Sequence, residues 1–426
     1  MAQFQGPRGT NDLFGEEMTQ WHLIEERIRE FAHLYQLEEV RTPIFEHTEV
    51  FARENDSSDV VNKEMYTFED KGGRSLTLQP EGTAGLVRAV VQHKLYANPE
   101  PVQKFFYQVP VFRYERPQKG RLRIHHQFGV EFIGDKNPLV DVQAIQLGIR
   151  LTQSFGLKNL KLHINTLGDD ESRANYRTVL QDYFRPHLGD LCEDCQRRFE
   201  QNPLRILDCK IDGDKPMVKE SPKMSSALNK ESADYFNEVL RLLDIAEIDY
   251  VLDEFLVRGL DYYTHTVFEV ISESEKMGSQ ATVFGGGRYD HLVESLGGPS
   301  LSSVGFGMGI ERLLVTLEAE GIELTREKNL DVYGISLGSD ANQLMMKLAD
   351  QLRTEGISVE MDVANRSMKA QFKSADRSNA KLLLILGDQE LENGTIRLKN
   401  TLTQQQEEVE LSQIISAIRK QLEDIK

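Results

Sequence analysis

The chain has 426 residues, of which 39% are hydrophobic and 28% are charged. This length suffices for two or three domains with at least one sizeable core, and the composition is that of an ordinary globular protein. The formal charge of −18 disfavours a protein that coats nucleic acid nonspecifically, although local basic patches could still bind it.

Hydropathy and cysteine content indicate whether the protein enters a membrane and in which compartment it folds. The sequence contains no apolar run long enough to span a bilayer and no signal-peptide pattern, so we expect a cytoplasmic protein without a membrane partner. Three cysteines in the chain argue against a disulfide scaffold and for a reducing compartment.

The first hundred residues combine helices with short strands. A helix is predicted by apolar residues that recur every three or four positions: Trp21, Ile24, Ile28, Phe31 and Tyr35. A strand-like segment at residues 38–41 ends at Thr42-Pro43. Two further strands, at residues 65–68 and 75–79, flank a Lys-Gly-Gly turn and predict a hairpin.

Two strand-like runs, residues 105–115 and 123–133, are joined by the loop R-P-Q-K-G. Around this loop lie one acid, Glu115, and five basic residues: Arg113, Arg116, Lys119, Arg121 and Arg123. A solvated hairpin tip would account for Lys119. It accounts poorly for Arg113, which falls inside a largely apolar strand where an unpaired guanidinium is costly. We therefore favour a site for polyphosphate or nucleic acid.

A charge-dense module is predicted at residues 168–230, and it contains all three cysteines. Cys192, Cys195 and Cys209 could ligate zinc, with His187 as a possible fourth ligand. Structural zinc sites usually show two clear ligand pairs, and the second pair is missing here. Ordinary thiols are the favoured interpretation.

The segment V-R-G-L-D-Y-Y-T-H-T-V-F-E begins at Val257. It places a cation, Arg258, beside the flexible Gly259 and ahead of two tyrosines, Tyr262 and Tyr263. The β-branched and aromatic residues that follow predict a strand. Taken alone, the segment could equally be a hairpin edge with an incidental arginine.

Two glycine-rich segments follow: G-G-G-R-Y-D at residues 285–290, and S-V-G-F-G-M-G-I-E-R at residues 303–312. The second predicts a strand that turns into a helix, with Arg312 one turn inside the helix. It is not a dinucleotide-binding fingerprint, because the glycine spacing is wrong and no βαβ unit precedes it. The glycines would instead let a flat ligand lie against bare backbone.

The strand pattern changes near residue 325. Up to that point the strands come mostly as hairpins, which predicts a mainly antiparallel sheet flanked by helices at residues 1–325. Beyond it, strands alternate with helices, which predicts a separate α/β domain at residues 330–426. The fold class is therefore α+β with a C-terminal α/β domain.

Three segments in order resemble the three motifs of class II aminoacyl-tRNA synthetases: R-T-P-I-F-E around Pro43, F-R-Y-E-R-P-Q-K-G-R-L-R, and G-I-E-R. The segments R-G-L-D-Y-Y-T-H-T-V-F-E and G-G-G-R-Y-D resemble those peculiar to the histidyl-tRNA synthetases, and the C-terminal domain is similar to the anticodon-binding domain of that family. The resemblance covers essentially the whole chain. It implies an antiparallel-sheet catalytic domain with a helical insertion, and a homodimer with Pro43 in its interface.

The resemblance also implies a two-step reaction. ATP and L-histidine would give histidyl-adenylate and pyrophosphate, and the histidyl group would pass to the 3′ end of tRNA(His). Arg113 and Arg258 would be catalytic, because both would contact the α-phosphate that the substrate carboxylate attacks. Mg²⁺ would bridge the β- and γ-phosphates, and no residue is assigned as a metal ligand.

The remaining expected roles divide by ligand. The histidine pocket is assigned to Glu81, Gly82, Thr83, Arg113, Gln127, Glu131, Arg258, Tyr262 and Tyr263. The ATP site is assigned to Arg113, Glu115, Arg121, Arg123 and Arg312. Contact with the acceptor end of the tRNA is assigned to Arg116, Gln118 and Lys119. His125 stands where an aromatic residue stacked on adenine is expected, and its role is left open.

Two other functions are possible for such a sequence. One is a regulatory subunit of histidine biosynthesis that binds histidine without catalysis, and the other is a sensor of uncharged tRNA. The first kind typically lacks the anticodon domain and part of the arginine set, whereas this chain keeps Arg113, Arg258 and Arg312. The second kind is normally fused to an effector domain, for which no length remains here.

Overall fold

A computed structural model of the chain describes residues 4–52, 60–326 and 330–425. The chain divides into two compact units, Met1–Leu324 and Thr325–Lys426, and each is described by itself.

The strands of the larger unit form two sheets within the described residues. In chain order they are β1 (Glu38–Glu39), β2 (Phe45–His47), β3 (Tyr66–Glu69), β4 (Ser75–Leu78), β5 (Gln103–Phe112), β6 (Ile124–Gly134), β7 (Leu160–Thr166), β8 (Tyr250–Leu252), β9 (Thr264–Ser272), β10 (Thr282–Tyr289) and β11 (Ser302–Gly309). The main sheet has the order β1-β5-β6-β11-β10-β9-β7-β8, and the small sheet has the order β2-β4-β3. The main sheet is antiparallel except at its edge pairs β1–β5 and β7–β8, so the predicted antiparallel sheet is confirmed.

The helices of this unit are α1 (Glu16–Leu34), α2 (Thr83–Gln92), α3 (Pro138–Ser154), α4 (Asp170–Phe184), α5 (Glu193–Gln201), α6 (Leu204–Leu207), α7 (Pro216–Lys219), α8 (Lys230–Ile245), α9 (Leu292–Ser295) and α10 (Ile310–Glu320). None of the described helices is long and apolar enough to cross a membrane. The predicted hairpin of β3 and β4 is confirmed.

The main core lies on one face of the large sheet. Trp21, Ile24 and Ile28 of α1 are buried there, as their spacing predicts. Successive side chains of a strand point to opposite faces, so the buried Phe128 and Phe132 of β6 contribute to this core. Val130 lies on the same face and belongs to this core, whereas Gly129 and Glu131 alternate with these residues and point to the opposite face. The candidate site lies on that face.

A buried ion pair joins the sheet to α3. Arg288 of β10 bonds to Asp141 of α3, and both side chains are fully buried. Tyr235 of α8 also donates to Asp141 over 2.7 Å. The arginine of the G-G-G-R-Y-D segment is therefore structural, because an unpaired buried partner would be strongly destabilising.

The helices α4–α7 lie in the cysteine-containing module, between β7 and α8. Their apolar side chains form a core of their own that includes Cys195 and Cys209. Leu256, Val257 and Tyr263, from the segment that precedes β9, belong to the same core. The limits of the module, residues 168–230, stay a prediction.

The smaller unit is a mixed five-stranded sheet. Its strands are β12 (Val332–Ser336), β13 (Val359–Met361), β14 (Leu382–Leu386), β15 (Thr395–Asn400) and β16 (Gln406–Glu410), in the order β13-β12-β14-β15-β16. Its helices are α11 (Ser339–Thr354), α12 (Met368–Ser378), α13 (Asp388–Asn393) and α14 (Ile414–Ile425). β12 pairs in parallel with both neighbours, as an α/β domain requires. The antiparallel additions β15 and β16 are not among the predicted elements.

Candidate active site

Glu131 is the centre of a buried polar network on the open face of the sheet. Its side chain is 1% exposed. One carboxyl oxygen accepts a hydrogen bond from Thr83 Oγ1 over 2.7 Å, and the other accepts from Tyr289 Oη over 2.5 Å. Burial raises the pKa of Glu131 to about 8, although the Tyr289 and Thr83 bonds act against this shift. The carboxyl group is therefore mostly neutral at pH 7.

The start of α2 forms one side of this network. Glu81 accepts from the amides of Thr83 and Ala84 over 2.6 and 2.9 Å, so its carboxylate satisfies two amides at the helix N-terminus. The Gly82 amide donates to Gln127 Oε1 over 3.0 Å. A Cβ atom at Gly82 would lie 2.2 Å from the buried Tyr107 ring, so this position requires glycine.

Tyrosines line the next part of the site. The Tyr262 ring centroid lies 4.7 Å from that of Tyr263 and 5.5 Å from that of Tyr289. Tyr107 Oη lies 3.3 Å from both Thr83 Oγ1 and Gln127 Oε1. The two predicted tyrosines therefore line the Glu131 network. Tyr289 and Tyr107 complete it and were not predicted.

Glycines on β11 make room for the polar side chains of β6. A Cβ atom at Gly305 would lie 1.9 Å from Glu131 Oε2, and one at Gly307 would lie 2.2 Å from Gln127 Nε2. Any real side chain at these positions would displace the two β6 side chains. At Gly305 and Gly307 the open space is thus taken by side chains of β6, and the predicted contact of a flat ligand with this backbone stays a prediction.

Arg258 adjoins the network through Tyr263. Its guanidinium lies 5.9 Å from the Tyr263 ring centroid and bonds to Glu269 of β9. Glu269 also accepts from Thr282 Oγ1 over 2.9 Å, which fixes its carboxylate. Arg258 is thus a partly buried cation with a defined position, rather than an incidental residue of a hairpin edge.

Arg113 lies one residue beyond the end of β5, and not inside the strand as predicted. The backbone pairing continues for one step, since the Arg113 amide donates to the Arg123 carbonyl over 2.9 Å. The Arg113 side chain donates to the Pro80 carbonyl over 2.7 Å. Because Pro80 precedes Glu81, Arg113 lies beside the Glu131 network.

Glu115 and its cations form a second cluster. Arg121 donates to Glu115 through two nitrogens, one of them over 2.8 Å, and the Arg123 guanidinium lies 4.0 Å from the Tyr114 ring centroid. Burial and then the neighbouring Glu115 raise the pKa of Glu64 to about 7. Burial also acts to raise the pKa of Glu115, but Arg121 outweighs it and the pKa lies below its ordinary value. Glu64 was not predicted.

The loop between β5 and β6 contacts α10. Arg312 donates to the Gly120 carbonyl over 3.2 Å, and Lys119 pairs with Glu318 over 2.9 Å on the surface. Arg116 and Gln118 are exposed on the same loop. Arg312 is therefore joined to the loop tip, and the three residues predicted to bind tRNA lie at the surface.

His125 has a low affinity for protons. Burial, followed by the charge of Arg113, lowers its pKa to about 4, so its ring is neutral at pH 7. Its Nδ1 atom is buried and has no hydrogen-bond partner within the described part of the chain. A neutral ring can stack on a planar ligand, but no contact of His125 assigns it such a role.

Comparison with known proteins identifies the family. A family model described as histidyl-tRNA synthetase matches residues 9–313. The chain belongs to the histidyl-tRNA synthetase family. A second family model, described as an anticodon binding domain, matches residues 331–421. The predicted class II catalytic domain with a C-terminal anticodon-binding domain is confirmed.

Full-length relatives agree with the family assignment. The histidine–tRNA ligase of Oceanobacillus iheyensis is 48% identical over 419 residues, which cover 98% of this chain and 98% of the relative. That of Bacillus subtilis is 49% identical over 414 residues, covering 97% and 98%. The crystal structure of apo Staphylococcus aureus histidyl-tRNA synthetase matches with a TM-score of 0.83 at 43% identity, covering 98% of this chain and 100% of that one.

One structural neighbour is similar in fold alone. A structure from Bacillus halodurans, described as an ATP phosphoribosyltransferase regulatory subunit/histidyl-tRNA synthetase, matches with a TM-score of 0.63 at 21% identity, covering 91% of this chain and 99% of that one. The same fold thus occurs in a protein described partly as regulatory.

The raised pKa of Glu131 predicts a pH dependence of stability. Between about pH 4.5 and about pH 8 the unfolded chain has released this proton and the folded chain has kept it. Stability should therefore fall as pH rises through this window, by on the order of 4 kcal/mol. Urea unfolding from pH 5 to pH 8 should show wild type losing stability relative to Glu131→Gln. The exposed Glu294→Gln is the control, and parallel profiles of wild type and Glu131→Gln would contradict the prediction.

Proposed function

We propose that this chain activates L-histidine with ATP and transfers the histidyl group to the 3′ end of tRNA(His). The observation that carries the proposal is the buried network of Glu131, Thr83 and Tyr289, lined by tyrosines and joined to the fixed cation Arg258. Such a site combines a small polar pocket with a positive charge that can stabilise a reaction between two anions. The proposed setting is the cytoplasm.

The pocket chemistry suits a neutral imidazole. Imidazole offers one donor and one acceptor on opposite edges, so recognition needs a complementary pair. Glu131 and Tyr263 supply that pair, and Tyr262 forms an adjoining wall. The neutral form of Glu131 can donate as well as accept, and it avoids an unpaired buried charge.

The substrate's ammonium and carboxylate groups would lie near the start of α2. Thr83 and Gln127 are placed for them by their bonds to Glu131 and to the Gly82 amide. Glu81 mainly stabilises the start of α2, since its carboxylate accepts hydrogen bonds from two amides of that helix. Its role in histidine binding is therefore to fix Thr83, while its charge attracts the ammonium group.

Activation brings two anions together. The histidine carboxylate oxygen bonds to the α-phosphorus, the bond from that phosphorus to the β-phosphate bridge breaks, and pyrophosphate leaves. Fixed cations lower this barrier because they need no reorganisation during the reaction. Arg113, held by the Pro80 carbonyl, and Arg258, held by Glu269, supply them.

The second cluster is proposed to bind the rest of ATP. Arg121, Arg123 and Arg312 would contact the outer phosphates and the adenine, with Glu115 at the adenine end. Arg121 is already paired with Glu115, so phosphate binding must compete with that ion pair. Such competition favours the highly charged triphosphate over monoanions.

Mg²⁺ fits the same cluster. This ion usually takes one or two carboxylates in addition to substrate phosphates and water. Glu64 and Glu115 provide oxygen ligands beside Arg121, and burial, followed by the neighbouring Glu115, raises the pKa of Glu64. When bound, Mg²⁺ would neutralise charge on the outer phosphates.

The tRNA would meet both units. Arg116, Gln118 and Lys119 are exposed on the loop between β5 and β6, where they can reach an acceptor stem. The match to an anticodon-binding domain supports contact through the smaller unit. On α12, Lys369, Lys373 and Arg377 offer positive charge for that contact.

A dimer is proposed from an apolar surface next to Pro43. Ile44 and Phe45 are each 46% exposed, and Phe68 on β3, two strands away in the same small sheet, is 43% exposed. The Phe45 and Phe68 ring centroids lie 6.5 Å apart, so the side chains form one patch. An apolar patch of this kind is typical of a protein interface.

The deciding measurement is ATP–pyrophosphate exchange tested with each amino acid in turn. The purified chain with Mg²⁺ should exchange with histidine, and aminoacylation of tRNA(His) should follow. Histidine binding by correctly folded protein without exchange would indicate the regulatory function instead. Exchange with another amino acid would refute the assignment of the pocket.

Arg258→Ala should slow histidyl-adenylate formation by roughly 10²–10³-fold, the usual loss for one charge-stabilising group. Histidine affinity should change little, because the imidazole contacts remain. Single-turnover kinetics and equilibrium binding separate the two quantities. The double variant Arg258→Ala/Glu269→Gln tests whether the loss comes only from an unpaired Glu269, and the exposed Arg241→Ala is the neutral control. Weak histidine binding with an unchanged rate at saturation would contradict the catalytic role.

Sedimentation velocity at micromolar concentration should show a dimer. Phe45→Asp and Phe68→Asp should shift it toward monomer, because a carboxylate in an apolar interface loses its hydration. Leu402→Asp, which alters an exposed apolar residue of the smaller unit, should leave the dimer intact. A compact wild-type monomer would refute this proposal.

A further inference from the structure

Three thiols and a carboxylate converge within the helical module. Cys192 and Cys195 lie at the start of α5, Cys209 follows α6, and Asp212 lies in the turn ahead of α7. One ligand atom from each residue lies within 4.8 Å of all the others. Cys195, Cys209 and Asp212 are buried, and Cys192 is partly exposed.

We propose that Cys192, Cys195, Cys209 and Asp212 bind one Zn²⁺ ion in a tetrahedral structural site. The sequence interpretation favoured ordinary thiols because a second ligand pair was missing. The second pair is present, with a carboxylate in place of one thiol: Cys192-x-x-Cys195 is matched by Cys209-x-x-Asp212. His187, the fourth ligand considered from sequence, is not part of this cluster.

The distances fit a tetrahedral ion. Zinc–sulfur bonds of about 2.3 Å at tetrahedral angles place two sulfurs about 3.8 Å apart. The Sγ atoms of Cys192 and Cys209 are 3.8 Å apart. A disulfide would require about 2.05 Å. These thiols are therefore spaced for a shared ion rather than for a covalent bond.

The backbone around the cluster stabilises negative sulfur. Cys209 Sγ accepts from the amides of Ile211 and Asp212 over 3.4 and 3.5 Å. Hydrogen bonds to the charged form favour a thiolate, which is the form that binds metal. Cys209 therefore has backbone donors that stabilise its thiolate.

Asp212 is oriented by its neighbours. Its side chain is fully buried, and one oxygen accepts from the Cys192 amide over 2.8 Å. The other oxygen lies 2.7 Å from Lys215 Nζ. Three thiolates and a carboxylate around Zn²⁺ leave a net negative charge, which Lys215 partly offsets. Without a nearby cation, a fully buried carboxylate would destabilise the fold.

The zinc site would stabilise the position of the segment that carries Arg258. Cys195 and Cys209 share a core with Leu256, Val257 and Tyr263. Arg205, between the two ligand pairs, donates to the Arg258 carbonyl over 3.5 Å, and Asn202 donates to Asp261 over 3.2 Å. Zinc would thus position the reactive segment without touching the substrate. Metal binding itself does not rest on the proposed function.

Metal content tests the site without any variant. The full chain, purified under reducing conditions without chelators or added metal and then dialysed, should contain one zinc per chain by plasma mass spectrometry. Exchange of zinc for Co²⁺ should give the thiolate-to-metal charge-transfer and visible bands of a tetrahedral site. A metal-free chain that also fails to bind Zn²⁺ or Co²⁺ would overturn the proposal, whether its thiols are free or form a Cys192–Cys209 disulfide.

Variants test the ligand set. Asp212→Asn and Cys209→Ser should each weaken zinc binding at least about tenfold, the loss found even for outer partners of metal ligands. Asp214→Asn is the matched control, since this neighbouring carboxylate is exposed and pairs with Lys219. Unchanged zinc affinity in folded Asp212→Asn would refute its place in the site. Circular dichroism identifies variants that fail to fold.

Discussion

The candidate site depends on bare backbone at the centre of the large sheet. Gly305 and Gly307 of β11 leave space for Glu131 and Gln127 from the neighbouring strand. Without that space the Glu131 carboxyl could not reach both Thr83 and Tyr289. The glycines weaken the strand, since each lacks a side chain to pack there. The sheet tolerates this because its other face is a continuous apolar core.

The cations of the site are fixed before any ligand arrives. Arg258 bonds to Glu269, Arg113 to a backbone carbonyl, and Arg121 to Glu115. In an acidic chain such partners keep guanidinium groups partly buried without like-charge repulsion. In the proposed reaction, fixed partners would mean that little reorganisation is required, while each ligand would compete for the guanidinium groups. The most highly charged ligand gains most from that competition.

Local patterns predicted a large part of the fold. The spacing of Trp21 and Ile24 defined α1, and the turn between β3 and β4 defined a hairpin. Tyr289 and Tyr107 were missed because their partners lie far away in sequence. One sequence alone does not show which distant residues contact each other. β15 was missed although its buried and exposed residues alternate, and β16 was missed because it is short, largely charged and mostly exposed. The motifs predicted residues that the structure brings together, such as Glu131 and Thr83, but not their distant partner Tyr289.

The cysteine cluster shows how a distant partner changes an interpretation. Cys192-x-x-Cys195 alone is weak support for a metal, and Asp212 is an ordinary acid in sequence. Folding brings Asp212 to the thiols, where its buried carboxylate completes a second ligand pair with Cys209. The same fold joins this cluster to the core that contains Tyr263. A module remote in sequence from both the glycine-rich strands and the arginine loop therefore packs against the segment in which the proposed histidine contacts and the proposed catalytic cation lie together.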